Sequence, residues 1–441
     1  MSQKSVGNKS WIVSKVVLHT LTMAIILIVF ADCKKEQVYD EGRPIAIINA
    51  KIFDGENVIR ETILVLKGRH IRTIGGEIPP NAIIVDAQGG TLMPGLIDSH
   101  VHTDRDGLRD ALLFGVTTEL EMTGRWTPGE RKEVAERTDV TDVRSAGMGI
   151  TPPGGHPSQY MALSNNLLIK IFFRYPFVSS PEEAVRFVDQ QIADGSDYIK
   201  IIIEDGSTVG TPGLPVTKDE TIRAAVQAAH RHGKLAIAHV TTVEGGQRAI
   251  SAGIDGLAHL FFDRKPTPQF VDEIASSGTF VTPTLVTLSS AFGKSADALA
   301  DDQRVNSKLS KLWLDSLRKN MNVYPQGKLE DAFATVLALH KAKVDILAGS
   351  DVSEPIADLG GLAHGASLHH ELQLLVEAGL KPIEALRAAT STPARRFRLT
   401  DRGRIVPGNL ADLVLVDGDP ISKISDTLSI RAVWRNGVQL R

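Results

Sequence analysis

Short apolar runs alternate with helical patterns through the middle of this chain, from about residue 91 to about residue 398. This alternation predicts parallel strands joined by helices, because each connection between parallel strands must cross back over the sheet. The eight apolar runs are Leu92–Ile97, Val116–Met122, Val143–Ile150, Tyr198–Ile203, Leu235–Val240, Gly256–Leu260, Phe280–Leu285 and Asp345–Gly349. Eight such units predict an α/β fold, a (β/α)8 TIM-type barrel, whose active site lies at the carboxyl ends of the strands.

Helix start signals fall between several of these runs. The Ser-Ser-Pro-Glu-Glu sequence ending at Glu183 predicts one helix start, and Thr217 with Glu220 has the spacing of a capping box for another. The polar stretch from Ser289 to Gly327 is long for a single connection. We therefore expect an inserted helical segment there.

The two ends of the chain have a different pattern, in which short β-rich runs alternate with turns. Such runs occupy residues 45–85 and return after residue 403, separated by Asp-Gly and Asn-Gly turn signals. Because similar segments lie at both ends, we expect them to pair with each other. The predicted domains are a small β-sandwich from residues 44–93 plus 400–441 and a catalytic barrel from residues 94–399.

Residues 1–33 form a third predicted segment. Lysines up to Lys15 precede an almost uncharged apolar stretch, Val16–Phe30, and this order is typical of a secretory signal. The stretch is shorter than the roughly 20 residues that span a bilayer, which favours an export signal or an anchor over a full membrane span. We therefore expect an exported protein, periplasmic or membrane-anchored in the cell envelope of a bacterium.

Cys33 is the only cysteine of the chain and lies just beyond that apolar stretch. A lone cysteine forms no internal disulfide, and a bacterial lipoprotein carries its lipid at such a place. However, Asp32 stands where a lipoprotein has a small residue. Cleavage of the N-terminus, lipidation at Cys33 and retention as an anchor therefore all stay open.

The charge balance favours a small-molecule partner. The net charge is −3, and the chain has no extended block of lysine and arginine. A nucleic-acid-binding surface needs cationic side chains that neutralise phosphates, so we expect no nucleic-acid partner. We also expect a homo-oligomer, such as a dimer, and any membrane attachment would run through the N-terminus.

The residues at the ends of the apolar runs carry the candidate chemistry. His100 and His102 lie one residue apart at the end of the first run, so on a strand they face the same side. Neutral imidazole is the commonest protein ligand for zinc-like ions. Taken alone, this pair is equally compatible with an ordinary polar strand end.

Four further metal-competent groups occupy equivalent places: Lys200, His239, His259 and Asp351. Each also has an ordinary interpretation, such as a buried hydrogen-bonded histidine, a helix cap at Asp351, or an ion pair of Lys200 with the carboxylates that follow it. Because the strands of a barrel bring their ends together, the six groups jointly predict a metal site.

Lys200 needs a separate argument, since an ammonium group repels a dication. Its apolar strand favours the neutral amine, because burial disfavours the charged form. A neutral amine reacts with carbon dioxide to form a carbamate, an anion whose two oxygens can bridge two metal ions. This step is chemically plausible, but residue spacing does not establish it.

Several longer motifs surround the six groups. They are Met93-Pro-Gly-Leu-Ile-Asp-Ser-His-Val-His102, Tyr198-Ile-Lys200, the histidines at 239 and 259, Thr282-Pro-Thr284, Ala348-Gly-Ser-Asp351 and Ala411-Asp-Leu-Val-Leu-Val-Asp417. Through these motifs the chain resembles the amidohydrolase superfamily, and within it the imidazolonepropionase-like and prolidase-like branch. The resemblance covers most of the chain, from about Ile45 to Leu440.

The resemblance implies a hydrolase with two divalent metal ions, usually zinc. It implies that His100, His102 and Asp351 hold the first ion and that His239 and His259 hold the second. Lys200, converted by carbon dioxide to N6-carboxylysine, would bridge the two ions. A hydroxide between the ions would attack an amide-like carbonyl, with Asp351 as general base. The substrate stays open among N-acyl amino acids, dipeptides, aryl amides, carbamates and lactams.

Four residues are candidates for substrate contact. His156 lies in a Pro-Pro-Gly-Gly-His-Pro loop after the third run, where glycines let the backbone approach a ligand closely. Tyr160 follows in the same loop. His364 and His369, which come after Asp351, resemble positions that shape the substrate site in this branch.

Two other functions compete with the binuclear hydrolase. One is a mononuclear metal-dependent deaminase of the same superfamily, and Lys200 argues against it, because a single ion needs no bridging anion. The other is a non-catalytic binding protein of the cell envelope. The presence of all six ligand-type groups, including the general base Asp351, argues against that alternative.

Overall fold

Parallel strands form the centre of the fold. The computed structural model describes residues 42–124, 126–161, 175–353 and 360–440. The predicted signal or anchor segment, residues 1–33 with Cys33, lies outside the described residues. Localisation and lipid attachment therefore stay predictions.

In chain order, the strands are β1 Ile45–Ile48, β2 Lys51–Ile52, β3 Leu64–Lys67, β4 His70–Ile74, β5 Ile83–Asp86, β6 Thr91–Pro94, β7 Leu96–Val101, β8 Val116–Glu121, β9 Asp142–Ser145, β10 Ile199–Ile203, β11 Ala236–Val240, β12 Gly256–Ala258, β13 Phe280–Thr282, β14 Leu413–Val416, β15 Ile430–Arg435 and β16 Val438–Gln439.

The helices are α1 Arg105–Leu112, α2 Pro128–Glu136, α3 Ser158–Met161, α4 Pro181–Ala193, α5 Asp219–Arg231, α6 Val243–Ser251, α7 Pro268–Ser277, α8 Leu285–Ala291, α9 Asp297–Asp301, α10 Gln303–Asn306, α11 Lys311–Leu317, α12 Leu329–Lys341, α13 Ala366–Glu377, α14 Pro382–Ala388 and α15 Ser391–Arg396, and a 3₁₀ helix covers Ile424–Leu428.

Two parallel sheets make up the barrel, one of β7, β8 and β9 and one of β10 to β13. Isolated parallel bridges join the two sheets. Ile150 pairs with Ile201 on one side. On the other side, Ile346, in the eighth predicted run, pairs with Val281, and Val352, just after that run, pairs with Val101. The described residues from Ile346 to Val352 form these bridges and no regular strand. The predicted α/β fold of the (β/α)8 TIM type is confirmed.

The first predicted apolar run divides between two sheets. Its beginning belongs to β6, which pairs antiparallel with β14, whereas β7 belongs to the barrel. Gly95 stands at the break, and a Cβ atom there would lie 2.1 Å from the hydroxyl oxygen of Thr117. Only glycine allows the chain to pass this close to β8 while it changes sheets.

Capping groups start several barrel helices. The Ser180 side chain accepts a hydrogen bond from the Glu183 amide at the start of α4, as its sequence predicts. The predicted capping box at Thr217 is wrong, because α5 begins at Asp219 and the Thr217 hydroxyl donates to the Ile202 carbonyl oxygen instead. The expected inserted helical segment is present as α9 to α11.

The two chain ends form two further sheets, one of β4, β3, β1 and β5 and one of β16, β15, β14, β6 and β2. Apolar side chains from both ends share one core, including those of Ile47, Leu92, Leu415 and Trp434. The residues from Arg43 onward pack as one unit. The predicted domain limits, 44–93 plus 400–441 and 94–399, therefore stay a prediction.

Within the described residues, no helix has the length and apolar character needed to cross a bilayer.

A buried ion pair joins the C-terminal segment to the barrel strands. The Arg402 guanidinium donates to the Asp142 carboxylate, in β9, and to the hydroxyl oxygen of Thr118, in β8. Burial by itself raises the pKa of Asp142, but the charges of Arg402 and Arg144 reverse this effect and lower it to about 2. The paired carboxylate therefore stabilises the fold above pH 3.8 and loses this contribution as the pH falls towards 2.

Replacing Arg402 with methionine should destabilise the protein by about 3 kcal/mol, because the buried Asp142 carboxylate would lose one charged partner and keep Arg144, at 3.1 Å. Chemical denaturation followed by circular dichroism measures this change. Arg404→Met is the matched control, since Arg404 forms an exposed ion pair with Asp54 and should contribute less than about 1 kcal/mol. Equal losses in the two variants would contradict the prediction.

Candidate metal centre

Three histidines and a carboxylate converge at the carboxyl ends of the barrel strands. His100 lies in β7 and His102 directly follows it. Their Nε2 atoms lie 3.2 and 3.3 Å from Oδ1 of Asp351. Ligand atoms of His100, His259 and Asp351 all lie within 4.8 Å of one another. The ligands predicted at the ends of the first, sixth and eighth apolar runs therefore lie close together in the structure.

His239, in β11, completes the cluster. Its ring centroid lies 4.6 Å from that of His259, and the His259 centroid lies 4.7 Å from that of His100. The histidines thus form a continuous group in the order His102, His100, His259 and His239. The structure brings together all five of the predicted histidine and aspartate ligands.

Lys200 lies in β10 with its side chain buried against this cluster. Its Nζ atom is 3.4 Å from Nε2 of His100, and the residue is 2% exposed. Burial lowers the pKa of Lys200 to about 7, although the carboxylates of Asp351 and Glu121 favour the ammonium form. Near neutral pH a large fraction of this amine is therefore uncharged.

Burial also keeps the histidines in the form that binds metals. It lowers the pKa of His100 and of His239 to about 3, with a smaller effect from the charge of Lys200, and it lowers the pKa of His259 strongly. Burial acts to raise the pKa of Asp351, but the neighbouring histidines hold it well below its usual range. The cluster therefore offers neutral imidazoles and an ionised carboxylate.

This donor set fits a divalent cation. A buried carboxylate needs a compensating positive charge. Among the described residues around Asp351, burial disfavours the charged forms of His100, His259 and Lys200. Imidazole nitrogens with carboxylate oxygens are ligands that zinc accepts. A divalent ion would supply the missing charge.

Polar groups form hydrogen bonds with ring nitrogens of two histidines in the cluster. Glu204 Oε2 lies 3.2 Å from Nε2 of His239, and Thr284 Oγ1 lies 2.8 Å from Nδ1 of His259. Such partners fix the tautomer and orientation of a metal-binding histidine. Glu121 Oε1 lies 4.0 Å from Nδ1 of His102, which is too far for a hydrogen bond.

The sequence-based predictions did not include these supporting residues. Glu204 is one of the carboxylates that follow Lys200 in the sequence, but the structure pairs it with His239. One usable signal was the alternation in β8, where Thr117, Glu119 and Glu121 are polar in a fully buried strand. A buried strand that carries two carboxylates indicates a polar cluster on one of its faces.

Helix α8 connects two parts of the cluster. Thr284, at its N-terminus, adopts a left-handed conformation with φ of 48°. The Glu371 carboxylate accepts a hydrogen bond from the Val286 amide, and the Thr287 hydroxyl donates to the carbonyl oxygen of Ser350, beside Asp351. The first turn of α8 therefore positions both the partner of His259 and the segment that carries Asp351.

A cavity of about 660 Å³ opens beside the cluster. His100, His102, Lys200, His239, His259 and Asp351 line one side of it. The cavity is large enough for a small organic molecule next to the candidate metal ligands.

A model of the Amidohydrolase family matches residues 91–440. The chain belongs to the amidohydrolase family. An adenine deaminase of Rubrobacter xylanophilus is 21% identical over 430 residues, which are 94% of this chain and 59% of that protein. This chain thus spans about three fifths of that relative. An ochratoxinase of Aspergillus niger is 24% identical over 435 residues, which are 87% of this chain and 83% of that protein.

Solved structures of similar fold cover 90% of this amidohydrolase. A Xaa-Pro dipeptidase with methionine bound in its active site has a TM-score of 0.70 and 25% identity, over 100% of its own chain. A molinate hydrolase has a TM-score of 0.71 and 20% identity, over 95% of its chain. As a member of the amidohydrolase family, the protein is a metal-dependent hydrolase of carbon–nitrogen bonds.

Three of the four substrate-contact candidates line the cavity of the amidohydrolase: His156, Tyr160 and His364. The His156 ring stacks on that of His239 at 4.7 Å, and the His364 Nδ1 atom lies 3.3 Å from Glu119. The structure does not bring His369 to the cavity. Its ring is fully buried and both nitrogens have partners, the Thr427 hydroxyl and the Phe114 carbonyl oxygen.

Replacing Thr284 with valine should weaken metal binding about 10- to 100-fold, because His259 would lose the partner of its Nδ1 atom while the side-chain shape is kept. Competition with a chromophoric chelator measures this affinity. Thr284→Ser keeps the hydroxyl group and should keep the wild-type metal affinity. Thr335→Val removes another buried hydroxyl, in α12, and should leave metal affinity unchanged. Wild-type affinity in Thr284→Val would refute this role.

Proposed function

We propose that the protein is a binuclear metal-dependent hydrolase that cleaves an amide-like carbon–nitrogen bond. The observation that carries the proposal is the position of Lys200, whose buried Nζ atom lies 3.4 Å from His100 within the histidine cluster. In this proposal His100, His102 and Asp351 hold one ion. His239 and His259 hold the other, and zinc is the preferred metal.

Lys200 acts in this proposal as a bridging carbamate. Its neutral amine attacks carbon dioxide, a new nitrogen–carbon bond forms, and the proton lost from nitrogen passes to solvent. The product has one negative charge on two oxygens. With a pKa of about 7, Lys200 has enough neutral amine for this reaction near neutral pH. Two dications against this carbamate and the Asp351 carboxylate leave a positive site, suited to a developing oxyanion.

Bound divalent ions supply Lewis acidity towards the carbonyl oxygen and lower the pKa of water. Asp351 then accepts a proton from the attacking water and delivers it to the leaving nitrogen. Its carboxylate suits this role because the neighbouring histidines keep it ionised. His156, Tyr160 and His364 contact the substrate from the cavity wall.

Asp351→Asn should retain metal but lose turnover by about 10²- to 10⁴-fold, because the amide oxygen still coordinates an ion and cannot accept a proton at neutral pH. Elemental analysis and steady-state kinetics on the same preparation measure the two effects. Turnover at the wild-type rate in this variant would remove Asp351 as the general base.

Lys200→Met should lower the metal content by about one ion per chain, because the bridging ligand is lost. After growth with ¹³C-bicarbonate, the wild-type protein should show a carbamate carbon signal that the variant lacks. Lys308→Met is the matched control, since burial also lowers the pKa of Lys308 and its side chain lies outside the cavity lining. A wild-type protein with both ions and no carbamate signal would require a different bridge.

A mononuclear deaminase is the second candidate. The supporting observation is the likeness to adenine deaminases, one of which, from Gluconobacter oxydans, is 34% identical over 119 residues, or 26% of this chain. A deaminase releases ammonia from a ring amine and needs no carbamate. Ammonia release from adenine with a single bound ion would favour this function over the hydrolase.

Export to a bacterial cell envelope, attachment through the N-terminus and a homo-oligomeric state are part of the same proposal. Export and attachment rest on the order of charged and apolar residues before Cys33. The homo-oligomeric state rests on no particular residue of the chain.

A further inference from the structure

The cavity beside the histidine cluster has two unlike groups of lining residues. The first group is the six metal-competent residues. The second group is apolar, and the connection between β13 and α12 supplies Trp313, Met321 and Val323 to it. Phe262 and Leu362 add to this apolar wall. When the reacting bond of a substrate lies at the histidines, the rest of the substrate therefore contacts these apolar side chains.

Hydrogen bonds and ring contacts hold this wall in place. The Trp313 indole N–H donates to Oδ2 of Asp110 at 2.8 Å, so the hydrogen-bonding group of the side chain is already occupied. The Phe262 ring lies 5.6 Å from the Phe292 ring. Since Trp313 is 8% exposed, its orientation is set by packing before a ligand enters. Such a preformed apolar surface suits a flat ring or a branched alkyl group.

The cavity rim carries negative charge. Asp104, Asp106 and Asp110 line it, and Asp106 is paired with Arg109. Asp104 accepts hydrogen bonds from backbone amides, and Asp110 accepts one from the indole, so these bonds bring no positive charge. Among the described residues that line the cavity, Lys200 is the one lysine, and no arginine is present.

Burial acts to lower the pKa of the His364 imidazole, but the buried Glu119 carboxylate 3.3 Å away raises it, so the positive charge of His364 is paired directly with a negative one. A substrate carboxylate near Asp104, Asp106 and Asp110 would therefore meet like charges, and the cationic groups among the described lining residues, Lys200 and His364, already lie beside carboxylates of the protein. Juxtaposed like charges disfavour a ligand by an amount that is easily measured.

We propose that this site selects uncharged amide-type substrates that carry an apolar group of aryl size, and discriminates against analogues with a free carboxylate. This inference rests on the proposed hydrolase function and adds a substrate class to it. In the reaction, water adds across the carbon–nitrogen bond, that bond breaks, and a carboxylic acid and an amine leave. The apolar group lies against the Trp313 wall.

Two acetanilides of similar size test the proposal: 4-acetamidotoluene, which is neutral, and 4-acetamidobenzoate, which is an anion. With metal-loaded enzyme, kcat/KM for the neutral compound should be at least about tenfold higher. Trp313→Ala should raise KM for the neutral compound more than it lowers kcat. Equal or better turnover of the anion would overturn the proposal.

Charge variants isolate the electrostatic part. Asp110→Asn should raise kcat/KM for 4-acetamidobenzoate about threefold or more relative to the neutral compound. Asp139→Asn makes the same charge change outside the cavity, beside Arg137, and should leave that ratio unchanged. Identical ratios in the Asp110 and Asp139 variants would contradict a role for the rim charge.

Binding of inert analogues separates this inference from the proposed reaction. In 4-methylphenylacetone and its 4-carboxyl counterpart, a methylene group replaces the amide N–H, so neither is hydrolysed. Calorimetry should show tighter binding of the neutral ketone. If no amide is turned over but this preference holds, the hydrolase proposal fails and the selectivity stands. If the carboxyl ketone binds as tightly, the selectivity fails whatever the turnover.

Discussion

The pairing between β7 and the segment that carries Asp351 is the contact on which the rest of the site depends. The Asp351 amide donates to the His100 carbonyl oxygen at 2.7 Å, and the His102 amide donates to the Val352 carbonyl oxygen at 2.8 Å. The buried Asp98 carboxylate accepts hydrogen bonds from the amide and the hydroxyl of Ser350. These bonds join residues about 250 positions apart in the chain, so the candidate ligands meet only after the barrel has assembled.

Burial then determines the charge state of the cluster. The same loss of water contact that lowers the pKa of Lys200 to about 7 keeps the imidazoles neutral. Asp351 behaves differently, because several histidines face it at short range and outweigh its own desolvation. If these groups were exposed to solvent, Lys200 would be a charged ammonium group and would repel a metal cation. The depth of the cluster is therefore as important to its chemistry as the identity of its residues.

The alternation of apolar runs and helices was enough to predict the barrel, and the residues at the run ends were enough to predict which groups converge. Both predictions succeed because side-chain alternation along a strand is a local property of the sequence, and a barrel of parallel strands brings all the carboxyl ends to the same face. The predictions failed where tertiary contacts decide. Thr217 donates to a β10 carbonyl oxygen instead of capping its helix, and His369 is held by Thr427 and Phe114, away from the cavity. The supporting contacts of Glu204 and Thr284 were missed for the same reason.

In the proposed function, reaction chemistry and substrate choice come from different parts of this chain. The candidate ligands lie on or beside the barrel strands, where backbone hydrogen bonds leave little freedom. Trp313, Met321 and Val323 come instead from the connection between β13 and α12, which interrupts the regular alternation of strands and helices. Changes in that connection can alter the apolar wall without moving a ligand, since none of the six groups lies within it. The sequence motif that identifies the family therefore carries little information about the substrate, and the inserted segment carries much more.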